Sequence, residues 1–423
     1  MDILFFNADI LLDDGSIRKN AELGADGTFI THIADSGTAD KGVKERIDCR
    51  GGLLTPAFYN THTHSPMTLL RGYGENLPLM RWLNERIFPA EARMTADDAY
   101  YGTLLACMEM LRGGTASATD MYFFTESVAR AFDECGMKAN VSPVLACAPE
   151  ADPAAPGFYS SLAGLCDRYG PHERIKVDMS IHAEYSTTEK SVRIAAGYAA
   201  ENGLRIHLHL SETASEHSEC IARHGKTPAG YFYDCGVFEV PVNAAHCVHC
   251  TDGDFALMAE KKATAACCPA SNFKLASGLI NARAMYDAGV NIALGTDGAA
   301  SNNSLSMPET MKLFSLSAKY GAGDAAFLTP KEIFAAATVN GARKIHGMDC
   351  GFIKEGMRAD LVLWDTGAPP LIPCYDALTG LVYSADAGLV VMTVVDGKVL
   401  YRDGEYRTID RERVLFETNE RKF

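Results

Sequence analysis

The sequence predicts an α/β protein: a (β/α)8 barrel of the TIM type with a small β-sandwich domain built from both chain ends. Three observations lead there. From about residue 56 to 345, apolar strand-like runs alternate with stretches of helical periodicity, giving eight strand candidates. Both flanking segments read instead as short strands separated by turns. The chemically capable residues recur at the C-terminal ends of the eight candidates, which meet on one face in a closed barrel.

Residues 1–55 contain ILFFNADILL, a DDGS turn, AELGADGTFITHIAD and RIDCRGGLL, and form the first part of the small β-domain. Residues 346–423 contribute DLVLWD, LVVMTVVDGKVLY and the tail GEYRTI, with Asp396-Gly397 marking a hairpin turn. Neither end has enough strands for a stable sheet, so the two combine. Between them the strand candidates are LLTPAFYNTH, TASATD, KANVSPVLA, IKVDMSIH, LRIHLHLS, VNAAHC, TAACCP and VNIALGTD. Thr329-Pro330-Lys331-Glu332 predicts a capping box with proline at the first position of the final barrel helix. A doubly wound sheet would also alternate strand and helix, but its glycine-rich first turn is absent.

The chain has 423 residues, 47% of them hydrophobic and 22% charged, enough for one barrel-sized core plus an appendage. A formal charge of −15 without a basic cluster argues against nucleic-acid binding. No apolar run is long enough to span a membrane, and MDILFFNADILL lacks the basic start of a signal peptide. Thirteen scattered cysteines, an odd number, read as reduced thiols. The expectation is a soluble, cytoplasmic protein.

Residues 60–64 read NTHTH. Positions i and i+2 of a strand point the same way, so His62 and His64 project into one space, as ligands of one ion or as a hydrogen-bonded pair. In HLHLSET (207–213), His209 lies nearer the strand end and His207 is a deeper, hydrogen-bonded residue. Glu212, just past that strand, suits a general acid/base, although a helix start also favours a carboxylate. AHCVHC supplies His246, with His249 as a loop or supporting residue. Asp297 ends the apolar run VNIALGT, where burial is costly unless the carboxylate is paired or coordinated. Three histidines and an aspartate, with room for water, make a metal site. Two other patterns fail. His182-Ala183-Glu184 and Cys247-Val248-His249-Cys250 imitate a cytidine-type deaminase site, but His246 stands where proline belongs. Gly225-Lys226-Thr227 imitates a P-loop end, but Cys220 replaces its first glycine.

With NTHTHSPMTLLRG, HLHLSET, AHCVHC and LGTDGAASNNSL taken together, the chain resembles the amidohydrolase superfamily. Within it, the methylthioadenosine/S-adenosylhomocysteine deaminase group is the nearest likeness, with guanine deaminases and s-triazine hydrolases as cousins. The likeness covers nearly the whole chain and includes Gly356-Met357-Arg358-Ala359-Asp360, which opens a GxxADLVLWD signature. It implies a metal-dependent hydrolase barrel with one divalent metal, zinc first and iron(II) or manganese(II) as alternatives, held by His62, His64, His209 and Asp297. Binuclear relatives place a carboxylated lysine at the end of the fourth strand. Here that end is MSIH and Lys176 lies at the opposite end, so the mononuclear form fits.

The resemblance further implies Glu212, His246 and Asp297 as catalytic residues, His182 and Trp82 as contacts to the base, and Glu91 as the ribose-hydroxyl ligand. Glu212 would protonate purine N1 while hydroxide adds to C6 and ammonia leaves. The implied enzyme hydrolyses a cyclic-amidine C–N bond, deaminating 5′-methylthioadenosine, S-adenosylhomocysteine, adenosine or 5′-deoxyadenosine to the inosine analogue. Its partner is a small purine nucleoside, with no nucleic acid and no membrane, and a homo-oligomer is compatible. Alternatives are a guanine or 8-oxoguanine deaminase, an s-triazine hydrolase and, last, a non-catalytic metal-binding barrel.

Two departures from the group's pattern stand out. It typically reads H-x-P-Y after the fourth strand, where this chain has His182-Ala183-Glu184-Tyr185, an added carboxylate expected near the pocket. Relatives that accept S-adenosylhomocysteine hold its carboxylate with arginines after the third strand, whereas VSPVLACAPEADPAAPGFYSS contains none and has two acids. The expectation is a preference for short or neutral 5′ groups.

Overall fold

A run that reads as one strand, LLTPAFYNTH, is two in the computed structural model, which describes residues 1–39, 42–146, 156–342, 347 and 349–423. Leu53–Pro56 pairs with Ile3–Leu11 on one side and Leu361–Trp364 on the other. After Ala57, whose N–H donates to the Asp360 carbonyl, Phe58–Thr63 opens a parallel sheet. The chain thus crosses from one sheet to the other over a single residue.

The first parallel sheet orders Phe58–Thr63, Thr115–Tyr122, Lys138–Pro143 and Ile175–Val177. The second orders Met179–Ile181, Ile206–Leu210, Val242–His246, Thr264–Cys267 and Asn291–Leu294. IKVDMSIH therefore breaks at Asp178. Its N–H follows one sheet to the Val141 carbonyl, and its carboxylate accepts from Asn140 (2.7 Å) and from Arg205 Nε of the other (3.2 Å). At the opposite edges, Asp297 N–H donates to the His62 carbonyl at 2.9 Å and Thr61 Oγ1 to the Leu294 carbonyl at 2.9 Å. Asn243 Nδ2 crosses the interior to the Thr61 carbonyl at 2.8 Å. Most of these strand residues are buried, as parallel strands covered by helices must be.

The intervening helices start where the sequence supplies caps. Thr95, Thr188, Thr251 and Thr329 each close a capping box on Ala96–Arg112, Glu189–Asn202, Asp252–Glu260 and Pro330–Ala337. Gly136 (φ 88°) and Gly203 (φ 64°) end Thr125–Cys135 and Glu189–Asn202 in the left-handed conformation that glycine adopts without penalty.

The two chain ends form one hydrogen-bonded mixed sheet of nine strands, four of them from the C-terminal end. Its core holds Phe5, Ile10, Leu23, Ile47, Leu54, Leu361 and Val394. Asp396 (φ 48°) and Gly397 (φ 74°) make the expected hairpin turn between Val390–Val395 and Lys398–Arg402. The tail differs from its reading as strand. GEYRTI contributes only Glu405–Tyr406, and RERVLFETNE forms a helix, Arg411–Glu420, capped by Asp410 and buried through Val414. Its Arg413 donates to Tyr101 on Ala96–Arg112 at 2.9 Å, a long-range contact that local patterning does not reveal.

Beneath the parallel strands, the fully buried Lys138 is ion-paired with Asp360 and, at 2.7 Å, with Asp396. Tyr59 also donates to Asp360, and Arg358 reaches Asp396 at 3.1 Å. These bonds tie the C-terminal segment to the parallel strands. Every described cysteine is a free thiol. Among the described residues, no helix is long and apolar enough to cross a membrane.

Candidate metal and substrate site

At the C-terminal ends of the parallel strands, one ligand atom each from His62, His64 and His209 lies within 4.8 Å of the others, as do those of His62, His246 and Asp297. Asp297 Oδ1 lies 3.3 Å from His62 Nε2 and 3.4 Å from His64 Nε2, and the Nε2 atoms of His64 and His209 are 3.3 Å apart. Three ring nitrogens and one carboxylate oxygen thus face a common point.

The bonds behind these rings show which nitrogen each can offer. His64 Nδ1 donates to the Met121 carbonyl at 2.6 Å, and His209 Nδ1 to the His182 carbonyl at 2.7 Å. Both tautomers are thereby set with Nε2 as a lone pair. His62 Nδ1 meets Nε2 of the deeper His207 at 2.8 Å, while His62 Nε2 is buried without a hydrogen-bond partner. A buried nitrogen left this way costs free energy unless something coordinates it. Burial holds the His62 pKa down to about 4, against the opposing pull of Asp297, and pushes His209 well below the usual range. Neutral imidazoles are the metal-binding form. Burial raises the Asp297 pKa, but His62, 3.3 Å away, together with His246 and His64, outweighs it and holds the carboxyl well below the usual range, so it stays ionised. This donor set fits one divalent cation.

Asp297 is fixed from behind. Its Oδ2 accepts from Ser271 Oγ (2.6 Å) and Ser301 Oγ (2.9 Å), and Oδ1 accepts from Gly298 N–H (2.8 Å). Asp297 (φ 62°), His246 (φ 70°) and Ser211 (φ 47°) all take left-handed backbone at strand ends, a sparsely populated state that marks functional turns. His246 Nδ1 meets Asn272 Oδ1 at 2.9 Å, which turns Nε2 toward Glu212 Oε2, 3.8 Å away. Burial raises the Glu212 pKa, only partly offset by His246. For His246, burial lowers the pKa, but Glu212 and Asp297 outweigh it and the net shift is upward. Ser277 Oγ stands 3.5 Å from Glu212 Oε1, and its carbonyl receives His249 Nε2 at 2.7 Å, so His249 supports the site without facing it.

Above these groups lies a cavity of about 550 Å³. His64, His209, Glu212, His246 and Asp297 form part of its lining, joined by Trp82, Glu91 and His182. The nine residues singled out in the sequence therefore meet in one place, His62 lying just beneath the cavity. Trp82 and Glu91 arrive on the helical run Leu79–Glu91, whose middle, Leu83–Ile87, is a π-turn of the kind often found at functional sites. Burial raises Glu91 to about 7, with Tyr122 opposing, and lowers His182 to about 4. Asp120, another strand-end residue, does not reach the cavity: it accepts from Ser65 N–H at 2.6 Å.

Glu184 corrects an expectation. Its carboxylate does not enter the cavity but turns back onto Arg223 and His224, because a buried charge needs partners the apolar wall cannot give. Tyr185 and Ser186 line the cavity in its place. After the third strand, Val144 and Ala146 line the wall, and Cys147–Ala155 of the arginine-free stretch lie outside the described residues. Ser271, Ser301, Asn272, Ser277 and Tyr122 were not singled out from sequence, and Tyr185 was named only as the last member of the H-x-P-Y pattern. For some of the others the local signal was closeness to a flagged residue or strand end, as for Ser301 four residues after Asp297, and Ser277 had none.

A model of the amidohydrolase family matches residues 53–400. A 5-methylthioadenosine/S-adenosylhomocysteine deaminase of Pelotomaculum thermopropionicum is 38% identical over 99% of this chain and 98% of its own. A 5′-deoxyadenosine deaminase of Methanothermobacter thermautotrophicus is 40% identical over 96% and 94%. The crystal structure of a zinc-bound adenosine deaminase from Xanthomonas campestris superposes with a TM-score of 0.94 at 30% identity, covering 99% of this chain and 97% of that one.

Proposed function

The chain belongs to the amidohydrolase family, and from that premise we propose that it is a metal-dependent deaminase of adenosine-type nucleosides, releasing ammonia and the inosine analogue. The observation that carries this reading is the meeting of His62, His64, His209 and Asp297 with a protonatable Glu212 in one nucleoside-sized cavity. In this reading the two parallel sheets close into one (β/α)8 barrel over 56–345, supported by the bonds between Asp297 and His62 and across Asp178. The segments 1–55 and 346–423 make up the small β-domain, with its sheet folded as a sandwich around the Phe5–Val394 core.

His62, His64, His209 and Asp297 would hold one divalent cation, zinc in the first place, as in the zinc-bound adenosine deaminase. Bound there, the cation supplies Lewis acidity that makes hydroxide available near neutral pH. Asp297 is ionised and takes the proton of the attacking water. His246, held by Asn272 and carrying a raised pKa, orients that oxygen and stabilises its charge. Glu212 is poised to be protonated by burial, so it can donate to purine N1 as electron density arrives there from addition at C6. The proton held by Asp297 passes to the amino group, the C6–N bond breaks and ammonia leaves, while the added hydroxyl returns its proton to Glu212 as the C6 carbonyl forms and N1 keeps the proton it received. His182 and Trp82 bear on the base, and Glu91 on the ribose hydroxyls.

The remaining wall is mostly apolar, with Leu79, Leu83, Phe88, Phe123, Val144 and Ala146 beside the uncharged Asn84 and Ser186, and no lysine or arginine lines the cavity among the described residues. A 5′ hydrogen or methylthio group suits that wall. The zwitterionic tail of S-adenosylhomocysteine would be desolvated there without a cationic partner. The test is ammonia release by metal-loaded protein from 5′-deoxyadenosine, 5′-methylthioadenosine, adenosine, S-adenosylhomocysteine, guanine, 8-oxoguanine and a triazine. The expected order of kcat/KM puts the first two ahead. S-adenosylhomocysteine well in front would overturn the selectivity, guanine or a triazine in front would overturn the substrate class, and metal binding without ammonia from any of them would favour a non-catalytic barrel.

A further inference from the structure

We propose that Glu184 is a positioning residue: its buried carboxylate forms with Arg223 and His224 a clamp that holds the substrate-facing turn 182–187 against the helix following Glu212. The proposal rests on the deaminase reading only for what the turn faces. Glu184 is 3% exposed and takes no part in the cavity lining. Its Oε1 accepts from Arg223 Nε at 3.1 Å and from His224 Nε2 at 2.8 Å, and its Oε2 from Arg223 Nη2 at 2.5 Å.

The turn needs such a hold. Its own backbone bonds are long: Ser186 N–H to the Ala183 carbonyl at 3.4 Å and Thr187 N–H to the Glu184 carbonyl at 3.3 Å. Yet it sets two groups of the site. Ser186 Oγ holds His182 Nδ1 at 2.7 Å, and Tyr185 enters the cavity wall beside Glu212. The His182 carbonyl also takes both the N–H (3.1 Å) and Nδ1–H (2.7 Å) of His209. At the far end of the clamp, Arg223 and His224 close the helix Ala214–His224, which begins two residues after Glu212. One ion cluster therefore fixes the wall that meets the base relative to the element that carries the acid.

The geometry also shows what can replace the clamp. Ala183 is extended (φ −158°, ψ 169°), the conformation required before proline. Glu184 stands at the first position of the 3-10 turn, where no bond within the turn uses its N–H. Proline there would stiffen the turn without any ion pair.

The experiment compares E184A, E184P, R223M and E184P/R223M with the wild-type metal-loaded chain. The readouts are kcat and KM on 5′-deoxyadenosine, metal content, melting temperature, and hydrogen exchange of peptides covering 183–190. E184A should raise KM on the order of tenfold with a smaller fall in kcat, keep its metal, and speed exchange in the turn. R223M should lower the melting temperature more than E184A, since it leaves a buried carboxylate short of partners, whereas the Arg223 freed by E184A is already 40% exposed and can be hydrated. E184P should keep wild-type KM and slow exchange, and E184P/R223M should recover what R223M loses. Wild-type KM and exchange in E184A, or E184P as damaging as E184A, would overturn the clamp. A wild-type chain that releases no ammonia fails the deaminase reading alone, and exchange in the turn then decides the clamp by itself.

Discussion

Asp297 shows how much of the site depends on residues that carry no chemistry themselves. Two serine hydroxyls on Oδ2 leave Oδ1 to face His62 and His64. S271A and S301A should each weaken metal affinity about 10–100-fold, read by competition with a chelator, while the metal-saturated proteins melt near the wild type. Glu212 makes the complementary case. E212Q should cut turnover by about 10²–10⁴-fold with metal stoichiometry unchanged, because it removes a proton donor and no ligand. Near-wild-type turnover in E212Q would remove the acid role. The histidines, Glu212 and Asp297 are legible because their type and their place at strand ends restrict what they can do. Ser271, Ser301 and Asn272 are not. A serine or asparagine in a short helix has many uses, and only the fold turns these toward Asp297 and His246. Glu184 illustrates the opposite difficulty: the sequence shows a carboxylate near the pocket, but its direction depends on Arg223 and His224, about forty residues further on.

On the scale of single elements, Glu22 of the strand Ile17–Asp26 decides how the N-terminal turn is held. Its fully buried carboxylate accepts from the N–H groups of Gly37 (2.8 Å), Thr38 (3.1 Å) and Ala39 (2.5 Å), from Thr38 Oγ1 (2.8 Å) and from His32 (3.1 Å). Burial pushes the Glu22 pKa up, but these bonds outweigh it and hold it down to about 2, against 4.5 in an unfolded chain. The folded state thus favours the ionised form. The resulting stabilisation is complete above pH 4.5 and is lost as pH falls toward about 2. E22Q should melt several degrees below the wild type at pH 7, with the gap narrowing as pH drops through that window. A gap independent of pH would refute the assignment. The start of Pro330–Ala337, with its Thr329 cap, was readable in advance because capping is local. The helix Arg411–Glu420 was not, since its packing on Ala96–Arg112 is a contact between distant parts of the chain.

For the whole molecule, the alternation of strand and helix and the strand-rich ends were legible from period and composition. The cluster that joins them was not. Lys138 reads as an ordinary surface lysine at a strand start, yet it is fully buried between Asp360 and Asp396. K138M should destabilise the protein by about 3–5 kcal/mol, because it leaves Asp360 buried without its cation and Asp396 with Arg358 alone. The double variant K138M/D360N should recover part of that loss in thermal melts. Chelation of the metal should also lower the melting temperature, since a ligand bound only to the folded state stabilises it.

The same lysine sets an order of events during synthesis. Lys138 leaves the ribosome well before either aspartate that neutralises it, and Asp396 is 258 residues further along the chain. At roughly 5–20 residues per second, the nascent chain carries this ammonium without its partners for roughly a quarter to most of a minute. Until then the strand Lys138–Pro143 cannot be buried at its first residue without leaving a charge in an apolar setting. Closing this strand over its first residue therefore waits until Asp360 and Asp396 have emerged, and a chain terminated before them should be left open at its floor, within reach of chaperones and proteases.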